Sequence, residues 1–343
     1  MKILYLVFLL LLFSCSNRSY YKKYGSGFDP DMEKNSINYQ NIEKKFGKKN
    51  IITKKYKIGA VMKFFGNQYW QFLANGMMSK AKEYGLNIEI HAGASESDLE
   101  GQLIYMKEMV SNNFDAILVS PQTNSNLNIA VKKAREKNIL IINVDDAVLD
   151  DADYFVGPNQ YENGVRVAKY FIQKFSDGGN IAIIKGLPDV YAVNQRTNGF
   201  VDTLKGRKFT IVASEYCNWE LQIALEKTNK ILQEYPNIIG FYANNDIMAL
   251  GVVESLKINN RLKDTIVIGT DGIEAAYYSI RNKEMTATID SFPYITGMVA
   301  IEIAIRILEG QDIPRVVFSP QNLIAFENLD NPLEEYFKEK KNE

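Results

Sequence analysis

From Tyr56 to about Glu327 the chain alternates short Ile/Val-rich runs with longer segments whose apolar positions recur every three or four residues. The apolar runs predict strands at 57–62, 87–91, 116–119 and 139–143, with helices between them near 69–84, 97–112 and 126–137. A second series of strands follows at 181–184, 210–213, 238–242, 266–269 and 285–289, again separated by amphipathic segments. Runs that are continuously apolar rather than alternating mark strands buried on both faces. Single helices between them make the strands parallel, through right-handed crossovers. About 270 residues in this pattern are many for one sheet and suit two. The expected fold class is therefore α/β, with two lobes, each a parallel sheet flanked by helices.

The polar residues that follow these strands form a second pattern. In IIGFYANNDIMALG (238–251) an apolar run stops at Ala243, three amide and carboxylate residues follow, and a helix opens at once. In open parallel sheets small ligands bind at this carboxyl edge. Asn67, Tyr69 and Trp70 follow the first strand and Asp145 and Asp146 the fourth. In the second series Arg196 and Trp219 come after the first two strands, Asn245 after the third, and Asp271 inside GTDG after the fourth. Carboxylates and Arg hydrogen-bond hydroxyls strongly, and aromatic faces cover the C–H surfaces of a sugar ring. Each residue also has an ordinary reading. Asn and Asp cap helices, Asp-Gly makes tight turns, and adjacent Tyr69 and Trp70 cannot both face one way. Micromolar affinity needs about 8 kcal/mol against roughly 1.5–3 for one charged hydrogen bond, so a site requires residues from both lobes.

Lys2 followed by the apolar run 3–13 predicts a secretion signal over residues 1–15, too short to span a bilayer as a mature helix. Its end, Leu12-Phe13-Ser14-Cys15, resembles the lipobox of bacterial lipoproteins, which implies lipid attachment at Cys15 and anchoring to a membrane. Residues 16–50, rich in Lys, Asn, Tyr, Ser and Gly without a period, read as a flexible tether. A net charge of −1 argues against nucleic acid as a partner. His91 is the only histidine, which removes most zinc sites and the Ser-His and Cys-His catalytic pairs. No metal and no cofactor is implied. With Cys15 as anchor, Cys217 is left alone and reads as a small core filler.

ANNDIMALG (243–251), GTDG (269–272), RTNGF (196–200) and GNQYW (66–70) stand in an order and spacing that resemble the type I periplasmic solute-binding proteins of the ribose and galactose kind. The likeness runs from about Tyr56 to Glu327. It implies two lobes joined by a three-segment hinge, with crossings near 157–159, 290–292 and 318–320. The first lobe would then hold 51–157 and 291–319, and the second 158–290 and 320–335. The same resemblance implies sugar contacts at Asn67, Tyr69, Trp70, Arg196, Trp219, Asn245 and Asp271, and at Asp145 or Asp146. Where relatives carry a glutamine near the second crossing this chain has Ser291, preceded by Asp290, which joins the candidates. The arginine that ribose-type proteins carry beside their fourth-strand aspartate is absent here, so ribose itself is not implied. Three aspartates against Arg196 alone would raise one another's pKa. One of Asp145 and Asp146 is therefore expected to point away, leaving a neutral pyranose-like ligand; a cationic amino sugar is the competing ligand.

The function these features imply is not enzymatic. The chain is expected to bind a small polyhydroxylated solute, a monosaccharide, at the bacterial cell envelope and deliver it to an ABC-type permease. The alternative is a ligand-sensing subunit for a membrane receptor or histidine kinase.

Overall fold

A computed structural model of the chain describes residues 28–49, 52–149 and 153–332. The expected signal at 1–15, Cys15 and the first part of the 16–50 tether lie outside the described residues. In chain order the first strands are β1 (Ser36–Asn38), β2 (Ile58–Phe64), β3 (Ile88–Gly93), β4 (Ala116–Val119), β5 (Leu140–Val144) and β6 (Tyr154–Gly157). Next come β7 (Gly179–Lys185), β8 (Phe209–Tyr216), β9 (Ile238–Ala243), β10 (Ile266–Asp271) and β11 (Ala287–Asp290), and then β12 (Val316–Phe318) and β13 (Asn322–Ala325). The helices are α1 (Ile42–Phe46), α2 (Gln68–Glu83), α3 (Leu99–Ser111), α4 (Asn128–Glu136), α5 (Gln160–Lys174), α6 (Tyr191–Leu204), α7 (Leu221–Glu234), α8 (Asp246–Ile258), α9 (Glu274–Arg281) and α10 (Pro293–Leu308).

Two sheets result, ordered β1-β12-β6-β5-β4-β2-β3 and β13-β11-β10-β9-β7-β8. Every pairing is parallel except that of β11 with β13. Ile117, Leu118, Ile141 and Ile142 of the first sheet, and Ile181, Ala182, Phe241 and Ile268 of the second, are fully covered, as strands packed on both faces must be. The chain passes between the sheets after β6, after β11 and after β12. The crossings are tied together. The Ser319 backbone N–H donates to the Gly157 carbonyl, Thr296 Oγ1 to Ser319 Oγ, and the Asn159 backbone N–H to Gln321 Oε1.

Four strands escape the sequence pattern. β1, β6, β12 and β13 are only three or four residues long, too short for any local period to announce them. The reading of 16–50 as a tether is corrected for residues 28–49. Ser36–Asn38 pairs with Val316–Phe318 as an edge strand, and α1 buries Ile42 in the core of the first lobe. Among the described residues no helix is long and apolar enough to cross a membrane.

Glu309, just past α10, pins the segment that enters β2. It accepts from the Thr53 backbone N–H and hydroxyl, the Tyr56 hydroxyl and Lys49 Nζ at 2.8–3.3 Å. Burial would raise its carboxyl, but those donors bring it down to about 2. A depressed acid stabilises the fold above its unfolded pKa and ceases to do so as pH falls through the folded value. Glu309→Gln is therefore expected to lower stability by about 1 kcal/mol at pH 7. In urea titrations the gap between the two proteins should close as pH falls from about 5 toward 2; a gap that widens on acidification would refute the assignment.

Candidate functional site

Parallel strands place backbone ends and following loops at one edge of each sheet, and here the two edges face each other across the lobe boundary. Between them lies a narrow hollow of about 10 Å³, room for about one water, so the lobes must part before a sugar can enter. Asn67, Tyr69 and Trp70 reach it from the head of α2, and Asp145 and Asp146 from the loop after β5. Opposite stand Arg196 of α6, Trp219 before α7, Asn245 at the head of α8 and Asp271 at the end of β10. These are the residues expected from sequence, Asp290 excepted. The lobes already touch around the hollow. Gln68 Nε2 donates to Glu274, Asn124 Nδ2 to the Asp189 carbonyl, and the Ala192 backbone N–H to the Asp146 carbonyl, at 2.9 Å each.

The helix heads explain how some of these side chains are aimed. Asn67 and Asn245 are N-caps, accepting from the Tyr69 and Met248 backbone N–H groups. Capping uses their carbonyl oxygens and leaves their amide groups available. Asn67 Nδ2 lies 3.4 Å from Glu96 Oε1, which also accepts from Trp70 Nε1 at 3.0 Å. Asp145 (φ 55°), Asp146 (φ 33°), Trp219 (φ 68°) and Asp271 (φ 135°) all sit at positive φ, a strained backbone that clusters at functional sites. Trp219 lies directly on Gly186: a Cβ there would fall 2.2 Å from the indole ring.

Charge organises the rest. Arg196 is buried; its Nε donates to Gln160 Oε1 (2.8 Å) and its Nη1 to the Asn244 carbonyl (2.5 Å), with Asp271 Oδ1 at 3.8 Å. Burial opposes its charge, but Asp271 and Asp145 more than offset that, so its pKa is raised. Asp145 accepts from the Tyr69 hydroxyl, from Gln160 Nε2 (2.6 Å) and from the Asp146 backbone N–H (2.7 Å). Burial pushes the carboxyls of Asp145 and Asp271 upward, with Asp146 adding to the rise at Asp145 and Arg196 resisting it at both. Glu96 is also raised by burial, against the pull of Lys63. Close placement of α5 and α6 lets Gln160 span Asp145 and Arg196. Gly164 lies so near α6 that a Cβ would meet the Arg196 carbonyl at 2.0 Å.

Two expectations are corrected. Asp145 and Asp146 both line the hollow; neither points away. Part of the excess acid is met instead by Lys63, at the end of β2, whose buried ammonium pairs with Asp146 at 2.5 Å and lies 5.3 Å from the Trp70 ring centroid. Asp290 does not reach the hollow. Phe292 at φ 44° turns the chain so that the Asp290 carboxylate accepts from the Phe292 backbone N–H (2.6 Å) and the Tyr277 hydroxyl (2.7 Å). It faces a separate apolar groove with Phe72, Pro293 and Tyr294.

Lys63, Glu96 and Gln160 were missed in the sequence. The signal for Lys63 was present, a lone cation closing an apolar strand run, where only burial against an acid makes sense. Glu96 sits in a polar loop, SESD, where nothing singles it out. Asp246, next to Asn245, is structural: it accepts from the Gly272 and Ile273 backbone N–H groups and from the Thr288 hydroxyl. The buried Cys217 thiol is pushed by burial up to about 11 and stays protonated.

Comparison with known proteins agrees with this architecture. The D-allose-binding periplasmic protein of Escherichia coli K12 is 29% identical over 255 residues, covering 71% of this chain and 82% of that protein. A ribose import binding protein of Bacillus subtilis is 27% identical, covering 79% of this chain and 87% of its own length. A solute-binding protein of an ABC transporter from Actinobacillus succinogenes, solved with bound D-allose, is 30% identical with a TM-score of 0.75, covering 81% of this chain and 100% of that one. Residues 58–312 match the family model described as periplasmic binding protein domain. With two parallel lobes, three crossings and a polar hollow between the strand ends, the chain belongs to the periplasmic binding protein family.

Proposed function

We propose that the hollow takes a neutral monosaccharide, an aldose of the allose or ribose class in its pyranose form, which the protein delivers to an ABC-type permease from outside the cytoplasm. The carrying observation is the pairing of charge on its lining: Arg196 with Asp271 and Asp145, and Asp146 with the buried Lys63. Cations and acids so interleaved offer donors and acceptors to vicinal hydroxyls without requiring a charged guest. Trp70, Trp219 and Tyr69 supply ring faces and edges for C–H surfaces. The allose- and ribose-binding relatives support the class of sugar, and the import role of the ribose-binding relative favours transport over sensing. Anchoring by lipid at Cys15 belongs to the same proposal, with a membrane and a permease as partners.

Thermal-shift titration with D-allose, D-ribose, D-galactose and D-glucosamine tests the reading. At about 100 times Kd a bound neutral aldose adds about 2.7 kcal/mol, which raises Tm by about 5 °C. A response to D-glucosamine alone would replace the neutral ligand with a cationic one. Silence across the series would overturn the reading.

A further inference from the structure

The segment before the family domain does more than complete a sheet edge. Its near end is fixed to the first lobe. Ser36–Asn38 pairs with β12, the Val316 backbone N–H donates to the Asn35 carbonyl, and the Arg315 guanidinium lies 3.6 Å from the Phe28 ring centroid. Phe28 also packs toward Val148, Phe155 and Val316, all of that lobe. Yet the two carboxylates between these anchors are spent on the second lobe. Asp31 accepts from the first two backbone N–H groups of α5, those of Gln160 (3.1 Å) and Tyr161 (2.9 Å). Asp29 accepts from the Tyr191 hydroxyl (2.5 Å) and Gln195 Nε2 (3.1 Å), both on α6.

These two helices carry Gln160 and Arg196, the pair that joins Asp145 of the first lobe to the second. Gln160, whose backbone Asp31 holds, sends its side chain between Asp145 of one lobe and Arg196 of the other. Arg196 itself lies on α6, directly after Gln195 and five residues beyond Tyr191, the two residues that Asp29 grips. An anion at a helix N-terminus is favourable through unpaired N–H groups and the helix dipole, so Asp31 suits α5 specifically. Both grips lie across the lobe boundary; Asn124 Oδ1 accepts from the Tyr191 backbone N–H at the same end of α6, whereas the Gln68 contact lies elsewhere along it.

We propose that residues 28–31 form a clasp across the lobe boundary, in which Asp29 and Asp31 hold the closed arrangement and position Gln160 between Asp145 and Arg196. The effect on sugar affinity rests on the function proposed above; the effect on lobe separation does not. A clasp that favours the closed form raises affinity by reducing the cost of closure, and slows release because its contacts must break before the ligand leaves. Asp29 and Asp31 touch no ligand. They act through α5 and α6.

The test uses the full chain carrying Asp29→Ala and Asp31→Ala together, with Lys34→Ala, an exposed position on the same segment, as control. Spin labels at Ile129→Cys on α4 and Tyr278→Cys on α9, both exposed, report the distance between lobes without ligand. The double variant should show a longer or broader separation than its parent, and Lys34→Ala should not. Stopped-flow fluorescence of the cavity tryptophans with D-allose should show release at least tenfold faster, with association little changed. Should D-allose fail to bind the parent, the function proposed above is at fault and the distance measurement still decides the clasp. Unchanged separation overturns it, even if release quickens, since the carboxylates would then act only locally. Asp29→Ala alone, which frees the α6 side chains and the Asp31 backbone N–H but leaves the first two N–H groups of α5 held, carries the same test if the double variant does not fold.

Discussion

Replacing Arg196 with alanine should abolish sugar binding and weaken the fold at the same time. The guanidinium has five donors, and the hydrogen bonds to Gln160 and the Asn244 carbonyl use two. The remaining donors beside the hollow can reach a ligand, and two charged hydrogen bonds of roughly 1.5–3 kcal/mol each correspond to about 10²–10⁴ in Kd. Without the cation, Asp271 and Asp145 face each other buried and uncompensated. Breaking a buried pair by removing one partner costs about 3–5 kcal/mol. Calorimetry with D-allose and urea unfolding of the unliganded protein should therefore both change. Arg196→Lys should not restore binding, because an ammonium cannot span Gln160, Asn244 and a hydroxyl in one plane. A lysine variant with parental affinity would show that charge alone matters.

Asp271→Ala should separate the two effects. Its carboxylate is one of several acids around one guanidinium, and burial already raises its pKa. Removal relieves Asp145 and Asp246 of a like charge while taking two acceptor oxygens from the ligand. Affinity for D-allose should fall by about a hundredfold. Unfolding free energy of the unliganded protein should stay within about 1 kcal/mol of the parent, since the strained φ of 135° is the same for alanine. Asp271→Gly would relieve that strain and should come out more stable than Asp271→Ala. Equal losses of binding and stability would mean that Asp271 is a structural acid like its neighbour Asp246.

Much of this arrangement is legible in the sequence because parallel strands write themselves as unbroken apolar runs, and the next polar residues then fall at one edge. That is how Asn67, Asp145, Asn245 and Asp271 could be placed together although they lie far apart in the chain. What could not be read is direction. Lys63 and Asp290 are both charged residues at strand ends; one turns toward Asp146 and the other folds back onto its own turn, and only packing decides which. The expectation that one of Asp145 and Asp146 would turn away failed for the same reason: without Lys63 the acids could not be balanced on paper. The edge strand at 36–38 was invisible because its stabilising partner lies at 316–318, and a three-residue segment carries no period of its own.

The place of β12 between β1 and β6 bears on how the protein is made. The first lobe cannot close its sheet until residues 316–318 have been synthesised, after the whole run from β7 to β11. At about 5–20 residues per second, ribosomes need about 10–30 s to travel from β6 to β12. Throughout that interval the nascent chain lacks a finished first domain, and its longest-range contacts come last, an order that slows folding. A polypeptide that stays incomplete until its final stretch emerges is one that a translocation channel can still thread.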